Sequence, residues 1–361
     1  MANIIPIKDV EFLINDKCLV LRFRKEWFSL SSAVLNGGFR KVKAIANYQV
    51  DKDFSDEKPE DFLKKVLRNL PKPTVGLMTA ADITKFSLKS VMQGKLSICA
   101  LVTAGVSNAA SAGEKIKRIK GLGTINIIVL VDGCLSESCM VNLIGTITEA
   151  KSMALIDLDV RSRFSGELAS GTTTDAIVVA CAEKGEEIKY AGTGTELGML
   201  TGRIVRKAVR ETIQNQGLYY PNRPLIKRLE ERGIALNQIM NLIYRFSPEL
   251  KSFSRDDLKK FIENELKNIN VASLVIAGLR LEEDKARGLI PGVKRDGLML
   301  INEMFGMHIA KLIGGEEAVQ EFLKINKTKL NILRIGVFSR SVINGLLAGV
   351  SSKLKRIEEN K

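Results

Sequence analysis

The chain has 361 residues and a formal net charge of +14 at pH 7. Because single domains usually hold about 100–200 residues, this length predicts two domains, and the 45% hydrophobic and 27% charged residues are ordinary for a globular protein. The positive charge favours anionic partners. However, lysine and glutamate alternate on the predicted helix faces, and the few aromatic residues are not interleaved with arginine, so we expect no nucleic-acid partner.

The cysteines and the apolar segments bear on the cellular compartment. The chain has five cysteines at irregular spacing and no C-x-x-C motif, which argues against a disulfide framework and against a zinc site. Residues 1–10 lack the pattern of a signal peptide, and the longest apolar run, residues 125–131, is too short to span a bilayer. We therefore expect a cytoplasmic protein without a membrane span.

Between residues 74 and 202, short β-branched runs alternate with helical patterns. Four runs bounded by Gly, Asp or Ser have the composition of buried strands: 75–79, 96–103, 126–131 and 176–181. Two longer segments, 138–158 and 197–214, are predicted helices. This alternation predicts an α/β layered N-terminal domain.

The texture of the sequence changes after residue 215. Residues 216–224 contain one Gly, one Asn and two Pro, which is typical of a linker. Beyond it, apolar residues recur at three-to-four spacing in six segments: 224–232, 236–244, 255–268, 270–283, 296–313 and 315–323. We predict an all-α helical C-terminal domain and place the domains at 1–218 and 219–361.

Small polar residues stand at the ends of the predicted strands, where loops converge and ligands bind in layered α/β proteins. The predicted substrate-binding residues in these loops are Ser107, Asn108, Thr172, Thr173, Gly192, Thr193, Gly194 and Thr195. The Gly192 loop has neither the dinucleotide fingerprint nor the P-loop motif. It either holds an anion or a carbonyl oxygen at a helix N-terminus, or it is a tight turn closed by glycines for packing.

The predicted helix 138–158 is apolar nearly all round, which indicates a buried helix. Asn142, Thr146 and Glu149 stand at i, i+4 and i+7 and therefore share one face. Either they meet polar partners in the core, or they line a site. In the second case Asn142 contacts the substrate, and burial makes the carboxylate of Glu149 a general base or acid.

The chain has a single histidine, His308, and it lies in the second predicted domain, so a Ser-His-Asp triad within the first is excluded. A bond could instead be cleaved by water activated by a carboxylate, or by a Ser or Thr nucleophile paired with Lys or a carboxylate. The sequence does not choose between these. The predicted catalytic residues of this domain are Thr103, Asp132, Glu149 and Asp175.

The C-terminal domain concentrates carboxylates at two places. Glu282 and Glu283 end one predicted helix, and Asp296 begins the next. Facing carboxylates on a helical bundle can hold Mg²⁺ together with phosphate oxygens, so these three are predicted metal ligands, with Glu283 and Asp296 also catalytic. The alternative is a solvated acidic turn balanced by the neighbouring Lys and Arg residues.

Several motifs resemble the adenosylcobinamide amidohydrolase family (CbiZ-like), in order over about residues 20–210. They are residues 31–32, 36–38, 47, 76–81 (Gly-Leu-Met-Thr-Ala-Ala), 102–109 (Val-Thr-Ala-Gly-Val-Ser-Asn-Ala), 132–133, 142–151, 170–176 (Ser-Gly-Thr-Thr-Thr-Asp-Ala) and 190–195. The resemblance implies hydrolysis of the amide that joins aminopropanol to the corrin ring of adenosylcobinamide. The products would be adenosylcobyric acid and 1-aminopropan-2-ol, and no organic cofactor is implied.

Residues from about 224 onward resemble bacterial phosphatidylglycerophosphatase A and archaeal α-ribazole phosphatase, through 277–283 (Ala-Gly-Leu-Arg-Leu-Glu-Glu) followed by Asp296. The order matches an archaeal bifunctional fusion (CbiS-type). It implies two small-molecule substrates, a corrinoid and α-ribazole 5′-phosphate, with release of α-ribazole, and it is compatible with a homo-oligomer. Two alternatives stay open: an amidohydrolase with a non-catalytic helical assembly domain, and a non-enzymatic corrinoid- or nucleic-acid-binding protein.

Overall fold

The computed structural model describes residues 5–116, 123–217, 222–291, 300–327 and 335–360. It divides into two compact units, Met1–Arg223 and Pro224–Lys361. The first unit combines a mixed β-sheet with three α-helices, and the described part of the second contains helices and turns. The predicted fold class, an α/β layered domain followed by a helical one, is confirmed.

The first unit begins with three strands that the sequence patterns did not indicate. Its strands are β1 Val10–Asn15, β2 Cys18–Ser31, β3 Gly38–Gln49, β4 Thr74–Thr79, β5 Ser87–Gln93, β6 Leu96–Ala104, β7 Ala109–Ala110, β8 Ile125–Val131, β9 Cys134–Leu135, β10 Gly171–Thr172, β11 Ala176–Cys181 and β12 Glu187–Ile188. Its helices are α1 Pro59–Val66, α2 Glu137–Asp157 and α3 Glu196–Asn215. The four predicted strands and two predicted helices correspond to β4, β6, β8, β11, α2 and α3.

The eight longer strands form one sheet in the order β4-β3-β2-β11-β8-β6-β5, with β1 also paired to β2. The β3–β4 and β8–β11 pairs are parallel, and the other pairs of this sheet are antiparallel. The register of β2 against β3 shifts between Arg22 and Trp27. Such bulges bend a strand and increase its twist. This one lies between the part of β2 that pairs with β1 and the part that pairs with β11.

The central strand β8 shows how the layers are built. All seven of its residues are buried, and the six apolar ones alternate between two hydrophobic cores. Ile127 and Val129 pack with α2 and α3 on one face. Ile128 and Leu130 pack on the other face against residues of β2, β3 and β4, such as Ile45 and Leu77. The sheet therefore folds so that its two halves face each other, with α2 and α3 covering the outer side of β8.

Helix α2 is long and apolar enough to cross a membrane by length and composition, and it is the one such helix among the described residues. Half of that apolar window is buried within the structure. Its buried side chains, including Leu143, Ile147 and Leu155, belong to the core between the sheet and α3. This packing is the arrangement expected of the core helix of an α/β layer.

The second unit is a helical bundle around its C-terminal helix. The helices are α4 Leu225–Glu230, α5 Leu236–Phe246, α6 Arg255–Glu265, α7 Ile269–Ala286, α8 Leu300–Gly314, α9 Glu316–Lys327 and α10 Val337–Glu359. The six predicted segments correspond to α4–α9, although residues 296–299 lie outside the described residues. Ser254 caps α6 as its sequence indicates, because its side chain accepts a hydrogen bond from the backbone N–H of Asp257.

Helix α10 was not predicted, yet most of its residues from Phe338 to Leu354 are buried. It packs closely on α8 through paired glycines: a Cβ on Gly345 would overlap the backbone of Gly306, and a Cβ on Gly349 would meet the side chain of Ile313. The small residues that permit this approach also hide the apolar periodicity by which helices are recognised.

Candidate functional site

Three loops of the first unit meet at one end of β8. Because β6 is antiparallel to β8 and β8 is parallel to β11, the end of β6 lies beside the starts of β8 and β11. In the register, Asn126 faces Thr103 on one side and Ala176 on the other. We call the polar residues gathered here the strand-end cluster, which comprises Asn47, Thr103, Asn108, Asn126, Lys151, Thr172, Thr173 and Asp175.

A buried amide network forms the inner part of the cluster. The side-chain amide of Asn47 donates to Thr103 Oγ1 (2.8 Å), and that of Asn126 donates to Asn47 Oδ1 (2.9 Å) and to the Met78 carbonyl (2.8 Å). Asn47, Thr103 and Asn126 are each at most 2% exposed. Thr103, a predicted catalytic residue, is thus shielded from solvent, and the network connects β3 and β4 to β6 and β8.

The carboxylate of Asp175 forms the middle of the cluster. It accepts four hydrogen bonds: from Lys151 Nζ (2.5 Å), from the Thr172 hydroxyl (2.5 Å), and from the backbone N–H groups of Thr172 and Ile125 (both 3.0 Å). The side chains of Lys151 and Asp175 are each 10% exposed. Breaking a buried pair by removing one partner is costly, about 3–5 kcal/mol. Asp175 therefore fixes the loop before β11 to α2 and to β8.

The glycine at the start of this loop is required by the ion pair. A Cβ on Gly171 would lie 2.5 Å from Asp175 Oδ2 and 2.8 Å from Lys151 Nζ, closer than real Cβ atoms approach such atoms. The first and last residues of the Gly-Thr-Thr-Thr-Asp sequence are therefore both required by the structure. Gly171 leaves room for the ammonium group, and Asp175 accepts hydrogen bonds from the residues around it.

The outer part of the cluster carries hydroxyl groups. Thr173 is exposed, and its hydroxyl accepts a hydrogen bond from the side-chain amide of Asn108 (2.6 Å). Asn108 itself is only 1% exposed, and its Oδ1 has no hydrogen-bond partner in the described parts of the chain. Ser107 beside it is exposed. Thr173 is thus a solvent-facing hydroxyl oriented by a buried amide.

Asp132 lies away from the cluster, although the sequence grouped it with Asp175 and Thr103. It follows the last residue of β8, whereas Asn126 is near the strand's start, so about 20 Å of strand separates them. Its carboxylate pairs with Lys184 Nζ at 3.0 Å. The expectation that all strand-end residues converge is wrong here, because Thr103 ends an antiparallel strand and so lies at the opposite end.

Asn142 and the Gly192 loop also form a separate group, about 13 Å along α2 from Lys151. Asn142 Oδ1 accepts the backbone N–H of Ala191 (2.9 Å), and the Thr146 hydroxyl donates to the carbonyl of the same residue (2.7 Å). Thr195 caps α3 by accepting the N–H of Gly198 (3.0 Å). These polar residues of α2 therefore have partners in the backbone that leads into α3.

Glycine packing accounts for the rest of the Gly192 loop. A Cβ on Gly198 would overlap the carbonyl oxygens of Ala191 and Gly192. Thr193 and Gly194 are exposed. Of the two interpretations open from the sequence, the observed contacts support the tight turn.

Glu149 is exposed on α2. The expected burial of this carboxylate is wrong, because it stands two positions before Lys151 and positions i and i+2 do not share a helix face. Lys151 points to Asp175, and Glu149 therefore lies on the opposite side of the helix. The physical argument for a burial-tuned general base does not apply to it.

The structure adds three residues that sequence reasoning did not single out as site residues: Asn47, Asn126 and Lys151. Asn47 and Lys151 were named only within the family resemblance, and Asn126 only as the start of a strand. One signal was available for Lys151, since it is the one basic residue of a long and largely apolar helix. Asn47 and Asn126 gave none, because their contact crosses between two halves of a sheet.

In the second unit, the predicted metal ligands have other partners. Glu282 Oε2 accepts the backbone N–H groups of Phe338 (2.8 Å) and Ser339 (3.2 Å) at the start of α10. Glu283 pairs with Arg232 (2.8 Å) and with Arg280 (3.0 Å). Asp296 lies outside the described residues. Where side chains are described, no group of three His, Cys, Asp or Glu residues could hold a metal. Glu282 and Glu283 are thus engaged by other partners, and the Mg²⁺ site that includes Asp296 stays a prediction.

The packing of the Gly192 loop gives a matched pair of substitutions on α3. Gly198→Ala is expected to destabilise the first unit by about 1–3 kcal/mol, because the added Cβ overlaps backbone. Gly202→Ala, one turn further, would meet only Thr146 Cγ2 at 3.8 Å and should be neutral or stabilise by about 0.5–1 kcal/mol. Denaturant unfolding of both variants measures the difference. Equal stabilities would contradict the packing explanation.

Comparisons with known proteins identify the first unit. The family model described as adenosylcobinamide amidohydrolase matches residues 5–220. The chain is 32% identical over 219 residues to a protein of Methanosarcina mazei named adenosylcobinamide amidohydrolase, covering 58% of this chain and 100% of that protein. A Halobacterium salinarum protein of the same name is 31% identical over 132 residues, which is 35% of this chain and 54% of that protein.

Two further matches are less informative. An uncharacterized protein of Methanocaldococcus jannaschii is 29% identical over 225 residues, or 55% of this chain and 87% of that protein. The solved structure of the PH0078 protein from Pyrococcus horikoshii gives a TM-score of 0.30 at 11% identity, covering 57% of this chain and 83% of that one, a similarity too low to support a statement about the fold. The family match spans the first unit and includes every residue of the strand-end cluster, and the chain therefore belongs to the adenosylcobinamide amidohydrolase family.

Proposed function

We propose that the first unit hydrolyses the amide that joins aminopropanol to the corrin ring of adenosylcobinamide, a salvage step for cobamides. The products are adenosylcobyric acid and 1-aminopropan-2-ol. The observation that carries this proposal is the family match over residues 5–220 together with full coverage of the Methanosarcina mazei relative that bears the activity in its name. The hydrolysis of an amide by this route needs no organic cofactor.

The strand-end cluster is the proposed site. The chain's one histidine, His308, belongs to the second unit, and the cluster itself offers hydroxyl, amide, carboxylate and ammonium groups. Thr173 is the hydroxyl that is both exposed and hydrogen-bonded by a buried amide, Asn108. We assign it as the candidate nucleophile, with water taking the same position as the alternative.

Hydrolysis by Thr173 and hydrolysis by water give the same two products. When Thr173 attacks, its oxygen bonds to the amide carbon, its proton passes to the leaving nitrogen, and the C–N bond breaks to release 1-aminopropan-2-ol. Water then cleaves the ester, returning the hydroxyl and leaving the carboxylic acid. When water attacks directly, the same products form in one cycle, and Thr173 orients the water instead.

Lys151 and Asp175 are proposed as positioning residues. The four donors on the Asp175 carboxylate occupy its oxygen lone pairs, so this group is better suited to hold the loop than to accept the reacting proton. The loop it holds carries Thr172 and Thr173. Errors of about 1 Å in the placement of reacting groups can cost about 100-fold in rate, which makes the pair a determinant of kcat.

The proposed reaction is tested by incubating the purified full chain with adenosylcobinamide and separating the products. Adenosylcobyric acid and 1-aminopropan-2-ol are expected in equal amounts. Because the site is built on the cluster, Thr173→Val should remove most of the turnover while the far-UV spectrum stays unchanged. Failure of the wild-type chain to form either product would contradict the proposed function.

Lys151→Met is expected to lower kcat by about 100-fold with little change in KM, since it releases the Thr172–Asp175 loop without removing the hydroxyls. Lys151→Arg should recover part of kcat, because it keeps a cation for Asp175. The matched control is Lys89→Met, which removes a lysine of β5 that pairs with Glu211 of α3. Its kinetics should match the wild type. If Lys151→Met keeps full activity while Glu149→Gln loses it, the site lies on the other side of α2.

For the second unit, we propose a non-catalytic role and expect the amide hydrolysis to be the activity of the chain. The support is that Glu282 and Glu283, two of the three predicted ligands, are held by the α10 backbone and by two arginines. Dephosphorylation of α-ribazole 5′-phosphate and the homo-oligomer stay predictions from the sequence.

The full chain, supplied with Mg²⁺, is accordingly expected to release no phosphate from α-ribazole 5′-phosphate, as measured by a phosphate assay over the same period in which adenosylcobinamide is consumed. Phosphate release that disappears in the Asp296→Asn variant, with amide hydrolysis unaffected, would contradict this expectation and establish a second activity in the helical unit.

A further inference from the structure

The solvent side of α3 carries a basic stripe, which we define as Arg203, Arg206, Lys207 and Arg210. The last three follow Arg203 by three, four and seven residues, which places all four on adjacent turns of one helix face. Arg203, Lys207 and Arg210 are exposed. Together with Glu211 and Gln214, the stripe lines an open concavity of about 460 Å³.

One carboxylate pairs with two of the four cations. Asp157, the last residue of α2, accepts Nε and Nη2 of Arg206 (2.7 and 2.5 Å) and lies 3.7 Å from Arg210 Nη1. The hydrogen bonds from Arg206 lower the pKa of the Asp157 carboxyl. Glu211 pairs with Lys89, outside the stripe. The concavity therefore carries an excess of positive charge.

Two of the cations have no acidic partner among the residues that the structure describes. No carboxylate in the described ranges forms an ion pair with Arg203 or Lys207. Arg203 instead contacts Met199 Sδ at 3.3 Å. Their charges are available to a ligand, whereas Asp157 holds the guanidinium plane of Arg206 in a fixed orientation.

The stripe is also self-repelling, which distinguishes it from an ordinary solvated helix face. Like charges at i,i+3 and i,i+4 destabilise a helix, and the stripe contains four such pairs. On α1, by contrast, Lys64 pairs with Glu60 and Asp61. Asp157 offsets part of this repulsion at Arg206 and Arg210, and an anion bound between the four cations would offset the rest.

We propose that the basic stripe of α3 binds a small molecule that carries two or more linked phosphate groups. Guanidinium groups match phosphate oxygens in paired hydrogen bonds, and the concavity is of a size that small-molecule sites have, about 300–1,000 Å³. Linked phosphates present more acceptor oxygens over a longer span than a single phosphate does, and so suit several cations spread over two turns of helix. This site is separate from the amide hydrolysis and does not depend on it.

Isothermal titration calorimetry of the full chain with inorganic tripolyphosphate tests the proposal. The wild type is expected to bind one equivalent saturably, more tightly than inorganic phosphate, and with an affinity that falls as salt increases. Arg203→Ala/Lys207→Ala should bind at least tenfold more weakly. The matched control is Lys64→Ala/Lys65→Ala, which removes the same charge from exposed positions on α1 and should bind like the wild type.

Thermal unfolding supplies a second measurement that does not depend on the variant's own stability. Tripolyphosphate should raise the Tm of the wild type and of the α1 control, and leave that of the stripe variant unchanged. Absence of saturable binding, or equal affinity in both double variants, would overturn the proposal. So would an RNA oligonucleotide that binds the stripe when tripolyphosphate does not, or a stripe variant that loses adenosylcobinamide hydrolysis, since the site would then not be separate.

Discussion

The hydrogen bond between Asn126 and Asn47 is the contact on which the rest of the first unit depends. Asn126 begins the central strand β8, and Asn47 lies near the end of β3 in the facing half of the folded sheet. Their amides bring a polar connection into an otherwise apolar interior, where unpaired groups would cost about 1–3 kcal/mol each. The register of one half against the other is thereby fixed, and with it the end of the sheet at which the loops meet.

The elements that the sequence predicted well are those buried by one simple pattern. Strands β4, β6, β8 and β11 are short apolar runs between turn residues, and α2 and α3 are long enough for a helical period to show. Strands β2 and β3 carry Arg, Lys and Glu on their exposed faces, and the register shift between Arg22 and Trp27 interrupts the alternation. Helix α10 escaped prediction because most of its residues from Phe338 to Leu354 are buried, so that it shows no clear amphipathic stripe.

The candidate site was predictable in its loops and not in its partners. The residues around 103–108 and 171–175 do converge, because strand ends bound them. Which of their side chains meet, however, depends on strand direction, and this separated Asp132 from Asp175. Lys151 and Glu149 show the same limit on a helix: a difference of two residues decides which charge reaches the loop. Such choices are made by tertiary packing, which spacing along the chain does not encode.

The side chain of Arg223 bears on where the first unit ends. It lies near the end of the Pro- and Gly-containing connection, yet it is 7% exposed and donates to the carbonyl oxygens of Leu158 (3.1 Å) and Asp159 (2.7 Å) and to the Asp159 carboxylate (2.9 Å). Cutting the chain at residue 218 would leave these buried acceptors without their guanidinium. An independently expressed N-terminal fragment should therefore extend through Arg223, since this residue of the connection completes the interior of the domain that precedes it.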